Sequence, residues 1–133
     1  MSEDIRPLIL LVEDDRDNRE MYASYLVFSG FRAAEASDIE AGFEHAVRMQ
    51  PQVVVTDYVL GPKGTGVELC QRLKADVRTR DIPALLLTGS SRRMAGENEG
   101  ADGCAVVRLK PYMPDALVAD IRALISGREL PRQ

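Results

Sequence analysis

Five short apolar runs punctuate the chain, and between most of them apolar residues recur at helical spacing. That alternation limits the folds open to it more than any other feature. The first run, Leu8-Ile9-Leu10-Leu11-Val12, is uninterrupted and reads as a strand buried on both faces. Met21, Tyr22, Tyr25 and Leu26 then follow at three-to-four spacing, and Gly30 is a natural helix stop. Phe31 to Ala36 reads as a weaker strand. Ser37-Asp38-Ile39-Glu40 has the form of a capping box, with Ile39, Phe43, Ala46 and Val47 on one helical face and Pro51 as the breaker. Val53-Val54-Val55-Thr56 is β-branched and ends at Asp57. Thr65 and Glu68 form a second capping box, opening a helix with Val67, Cys70, Leu73 and Val77 inward. Ile82 to Leu87, with Pro83 at its start, gives a fourth strand that ends at Thr88. Cys104 to Leu109 gives a fifth that ends at Lys110-Pro111. Pro114 starts a last helix with Leu117, Ile121, Leu124 and Ile125 on one face. Ser90 to Gly103 holds three glycines and few apolar residues, so a helix between the last two strands is expected to be short and weakly docked.

Repeated βα units predict an α/β fold, a doubly wound parallel five-stranded sheet with helices on both faces and right-handed crossovers. The 133 residues suit one domain, residues 1–133 with a core of about 8–125, and the short tail after the last helix is too small for an output domain. With 45% hydrophobic and 29% charged residues, the composition is that of a globular chain. A net charge of −4 argues against nucleic acid as the main partner. Met1 to Arg6 is polar and no apolar run approaches a membrane span, so no membrane association is expected. Cys70 and Cys104 lack CxxC spacing and read as two thiols of a reduced, cytoplasmic protein.

In open parallel sheets ligands bind beyond the carboxyl ends of the strands. Here those ends carry Glu13, Asp14 and Asp15, then Asp57, Thr88 and Lys110. Acidic residues after a strand often only cap the next helix, which is the expected role of Asp15. Each remaining feature alone means little; if strands one, three, four and five are adjacent, together they gather carboxylates, a hydroxyl and an ammonium on one rim. Crowded carboxylates repel and persist if a cation neutralises them. An all-oxygen acidic site suits Mg²⁺. A carboxylate can attack phosphorus, and positioning with charge neutralisation then carries most of a phosphoryl transfer. The set is sufficient for phosphorylation of Asp57.

From about Leu8 to Ile125 the chain resembles the receiver domain of two-component response regulators. The carrying segments are LILLVEDDRDNRE, VVVTDYVLGPKGTGVELCQRLK, DIPALLLTGSS and KPY. The resemblance implies a flavodoxin-like, CheY-like fold with strand order 2-1-3-4-5 and a signalling switch rather than an enzyme. It makes Asp57 the phosphoacceptor, Thr88 the switch hydroxyl and Lys110 the lysine that pairs with the phosphoryl group. Glu13, Asp14, Asp57 and the backbone carbonyl of Val59 would hold Mg²⁺, Asp14 directly and Glu13 through water. The Lys110-Pro111 bond would be cis. The donor would be a histidine kinase or a His-containing phosphotransfer protein, and the phosphorylated form would act on a downstream protein or pass the group along a relay. His45 does not match a donor histidine and is expected to lie on an ordinary helix surface.

The match has two departures. The loop after Asp57 reads Tyr58-Val59-Leu60-Gly61-Pro62-Lys63-Gly64-Thr65-Gly66, one residue longer than usual and without the Met-Pro and Asp-Gly steps. The family's aromatic switch position falls on Val107, or on Cys104 if Gly100-Ala101-Asp102-Gly103 sets the alignment. The alternative is therefore a receiver-fold binding module with an atypical or phosphorylation-independent readout. A haloacid dehalogenase-type phosphatase would need a second Asp where Val59 stands, and the glycine-rich loop lacks the GxxxxGK[ST] order of a P-loop.

Overall fold

The structure, a computed structural model, describes residues 5–62, 64–89 and 103–127. Its elements are β1 (Leu8–Val12), α1 (Arg16–Phe28), β2 (Arg32–Ala36), α2 (Ile39–Met49), β3 (Val53–Asp57), α3 (Gly66–Ala75), β4 (Ala84–Thr88), β5 (Val106–Leu109) and α4 (Pro114–Ser126). The helix expected within Ser90–Gly103 falls outside the described residues except for Gly103, so the last helix is α4. The strands form one sheet in the order β2-β1-β3-β4-β5, and every adjacent pair is parallel. This is the doubly wound, flavodoxin-like arrangement that the sequence implied.

Strand alternation divides the core in two. Leu10, Val12, Val54 and Leu86 face Ile39 and Ala46 of α2 and Leu69, Cys70 and Leu73 of α3. Ile9, Leu11, Val53, Val55 and Leu85 face Ala23 and Leu26 of α1 and Leu117 and Ile121 of α4. Both sheet faces are covered, which is why the inner strands β1, β3 and β4 read as nearly continuous apolar runs, while the edge strands β2 and β5 carry Arg32, Glu35 and Arg108. Both cysteines are buried and form no disulfide. Among the described residues no helix is long and apolar enough to cross a membrane.

Several local expectations need correction. The α2 cap is Asp38, not Ser37: the Asp38 side chain accepts from the Ala41 amide at 2.8 Å. An aspartate in extended backbone already sits one position nearer the helix, so the hydroxyl of Ser37 is not needed. Thr65 does cap α3, and Asp15 caps α1 by accepting from Asn18. Met21 is 43% exposed, because Ala23 and Leu26 supply the buried contact of α1. Val77 lies beyond the end of α3 and is exposed, while Leu69 takes the inward place expected of it. Ile125 is at the exposed margin of α4 and the buried set includes Asp120 instead. Ile82, Pro83 and Cys104 precede their strands rather than belonging to them.

Helix α3 approaches the sheet tightly at Gly66. A Cβ there would lie 2.2 Å from the Asp57 carbonyl oxygen and 2.7 Å from Leu86 Cδ1. Only a hydrogen fits in that space. Gly66→Ala should therefore force α3 away from the end of β3 and cost about 2–4 kcal/mol. Denaturant unfolding measures this; a midpoint equal to the parent's would show that the contact is soft.

Candidate functional site

Parallel register brings the strand ends to one edge. Val12 is level with Thr56, Asp57 with Leu87, and Thr88 with Leu109. The residues that follow β1, end β3 and β4, and follow β5 therefore meet on one rim.

At the end of β1, the Glu13 amide donates to the Ala36 carbonyl at 3.0 Å, continuing the sheet by one step. The Glu13 carboxylate accepts from the Asp15 amide at 3.1 Å, and its carbonyl accepts from Arg19 Nη1 at 2.8 Å. Arg19 also pairs with Glu35, so α1 and β2 together hold the acidic turn in place. Glu13 is buried; Asp14 is exposed.

At the end of β3, the Tyr58 amide donates to the Leu87 carbonyl and the Gly66 amide to the Tyr58 carbonyl, both at 2.7 Å. Val59 bridges Thr65 antiparallel, and buried Leu60 anchors the loop in the core. The loop passes over Asp14: a Cβ on Gly61, whose φ is +84°, would lie 3.6 Å from Asp14 Oδ2. The Val59 side chain is exposed.

The other side of the rim is set by β4 and β5. Thr88 is buried, and its carbonyl accepts from the Lys110 amide at 2.7 Å. The Lys110-Pro111 peptide is cis, as expected. Lys110 Nζ lies 2.5 Å from Asp57 Oδ1. One carboxylate oxygen each from Glu13, Asp14 and Asp57 can be chosen so that all three lie within 4.8 Å of one another. The structure thus brings Glu13, Asp14, Asp57 and Lys110 together and puts Thr88 on the adjacent strand.

The electrostatics follow from three carboxylates facing one ammonium. Burial pushes the Glu13 carboxyl from its ordinary 4.5 up to about 7, with the nearby Asp57 charge adding to the effect. Burial also raises Asp57, against the hydrogen bond and charge of Lys110. For Lys110, burial alone would lower the pKa, and the hydrogen bond and charge of Asp57 outweigh it. A pocket of clustered carboxylate oxygens, incompletely neutralised by the described residues, has the chemistry of a site for a small hard divalent cation such as Mg²⁺.

Several contributing residues did not stand out in the sequence. Tyr22, read only as an apolar helix residue, donates its hydroxyl to the Tyr112 carbonyl at 2.8 Å, and its phenol lies in the field of Lys110, Glu13 and Asp57. Arg108 and Asp120 form a buried ion pair. Their signal was present: an arginine inside the apolar run of β5, and an aspartate between Leu117 and Ile121 on the apolar face of α4. His45 is half-buried rather than plain surface, with its Nδ1 enclosed and unpartnered among the described residues; it adjoins fully buried Ala46 on α2.

The model of the response regulator receiver domain matches residues 9–122. The chain belongs to that family. The phosphate regulon transcriptional regulatory protein PhoB of Escherichia coli is 35% identical over 120 residues, covering 88% of this chain and 51% of PhoB. The receiver domain described here spans about half the length of the curated relatives it matches. Two solved receiver structures share its fold. Chemotaxis response regulator CheY4 of Vibrio cholerae superposes with a TM-score of 0.80 at 22% identity, covering 90% of this chain and 98% of CheY4. The receiver domain of sensor histidine kinase PA1611 from Pseudomonas aeruginosa, solved with magnesium in its active-site cleft, gives 0.81 at 24% identity, covering 91% and 98%.

The raised Glu13 carboxyl has a consequence for stability. The folded state keeps that proton up to about pH 7, whereas the unfolded chain releases it near 4.5. Stability associated with Glu13 is thus full below 4.5 and lost as pH rises through 7. Without metal, Glu13→Gln should be more stable than the parent by about 1–3 kcal/mol at pH 8 and no more stable below pH 4.5. Urea unfolding across that range checks the sign; a gap that is constant with pH would contradict it.

Proposed function

We propose that residues 1–133 act as one receiver unit in which Asp57 is the phosphoacceptor of a two-component relay. The observation that carries this reading is the 2.5 Å contact of Lys110 Nζ with Asp57 Oδ1, beside the carboxylates of Glu13 and Asp14. A carboxylate oxygen of Asp57 attacks the phosphorus of a phosphohistidine on a histidine kinase or phosphotransfer protein. The new O–P bond forms as the P–N bond breaks, and the imidazole leaves and regains a proton. Lys110 offsets charge on the phosphoryl oxygens, and the Thr88 hydroxyl donates to one of them. Glu13, Asp14, Asp57 and the Val59 carbonyl are the groups that would hold Mg²⁺, and the magnesium in the Pseudomonas receiver's cleft supports that choice. When bound, the cation would neutralise the carboxylates and the incoming phosphoryl group.

The readout differs from the family's usual one. Val107 and Cys104, the two candidates for the aromatic position, are both buried, non-aromatic residues packed against the α2–α3 face. The phosphorylated state therefore alters partner binding without an aromatic flip at that position, by a shift of population towards the form a partner prefers.

With Mg²⁺ and a small-molecule phosphodonor, the parent should gain a single labile phosphoryl adduct by intact-mass spectrometry. Asp57→Asn should gain none, and Lys110→Ala should slow its formation on the order of 10²-fold. An adduct that forms equally without Mg²⁺, or persists in Asp57→Asn, would sink the proposal.

A further inference from the structure

Lys110 is fixed from both sides by a single buried carboxylate. Two residues before it, Arg108 donates through Nε to Asp120 Oδ2 at 2.9 Å and through Nη2 to Oδ1 at 3.1 Å. Two residues after it, the Tyr112 hydroxyl donates to the same Asp120 Oδ2. Asp120 sits on α4, and its side chain is 4% exposed against 11% for Arg108. From α1, Tyr22 adds a bond to the Tyr112 carbonyl. The segment 108–112, which carries Lys110 at its centre, is thus tied to two helices through directional bonds.

An ion pair this deep costs desolvation and is weak evidence for stability, since apolar residues of similar size often do as well. It does supply geometry. A bidentate arginine contact fixes orientation, and a third donor on the same carboxylate removes remaining freedom. The fixed segment is the one that aims the ammonium at Asp57, where a misplacement of about 1 Å can cost 10²-fold in rate.

We infer that Asp120 is a positioning residue for Lys110, holding the two flanks of the lysine through Arg108 and Tyr112 so that its ammonium stays on Asp57. This rests on the reading of Asp57 and Lys110 as the phosphoryl site, and it makes α4 mechanically continuous with that site.

Two measurements test it. The first does not depend on phosphorylation. Trace acetylation with acetic anhydride, followed by peptide mass spectrometry, reports how freely each lysine amine reacts. In Asp120→Asn and Tyr112→Phe, Lys110 should react several-fold faster than in the parent while exposed Lys74 is unchanged. Equal reactivity of Lys110 in parent and variants would overturn the inference, whatever becomes of the phosphoacceptor reading. The second compares adduct formation at saturating Mg²⁺. Both variants should be slower by about tenfold, with Mg²⁺ affinity unaltered. The triple variant Arg108→Met, Tyr112→Phe, Asp120→Leu separates positioning from packing: its unfolding midpoint should recover while Lys110 stays reactive and the rate stays low. Recovery of rate together with midpoint would show that the cluster serves packing alone. A parent that forms no adduct, yet shows the Lys110 reactivity change, would refute the phosphoacceptor reading and leave the positioning role standing.

Discussion

Three carboxylates converge where β1 and β3 end, and among the described residues the contact between Lys110 and Asp57 is what offsets them. Without that ammonium, Glu13 and Asp57 would be two partly buried negative charges facing a third, a state that burial and mutual repulsion both oppose. The compensation is incomplete, as the raised carboxyl pKa values of Glu13 and Asp57 show. A site in that condition is poised to accept a cation or to be relieved by proton uptake. Much of the surrounding architecture serves to keep it assembled. Parallel register delivers the side chains, Arg19 fastens the acidic turn, and a glycine lets α3 close over the end of β3.

The architecture was legible because the sheet is covered on both faces. Inner parallel strands buried on both faces are apolar almost throughout, so β1, β3 and β4 announced themselves, and chemistry-bearing residues stood out where their runs stopped. The errors were ones of phase and of competition. Met21 and Val77 fit a helical period, but small Ala23 with Leu26, and Leu69 with Leu73, made the better inward faces. Ser37 and Asp38 are both good caps, and one residue of register decided between them. Distance explains the remaining omissions. Tyr22 contributes through one bond to the distant Tyr112 carbonyl, and Arg19 joins the Glu13 carbonyl to the Glu35 side chain on β2; no local pattern encodes either.

Arg108 and Asp120 are of a different kind. Each breaks the apolar pattern of its own element, and each looks like a defect until the other is placed 2.9 Å away. Paired, they join β5 to α4 directly behind Lys110. That connection gives the last helix a physical link to the proposed phosphoryl site, in a chain with no aromatic at either Val107 or Cys104.

The central claim is that the covalent chemistry occurs on one carboxylate. Borohydride reduces an acyl phosphate to the alcohol, converting the phosphorylated aspartate to homoserine. Treating the Mg²⁺-dependent adduct this way and sequencing its peptides by tandem mass spectrometry names the residue. The account predicts homoserine in place of Asp57 and nowhere else; homoserine at Asp14 or another position, or a stable phosphoester on Thr88, would contradict it.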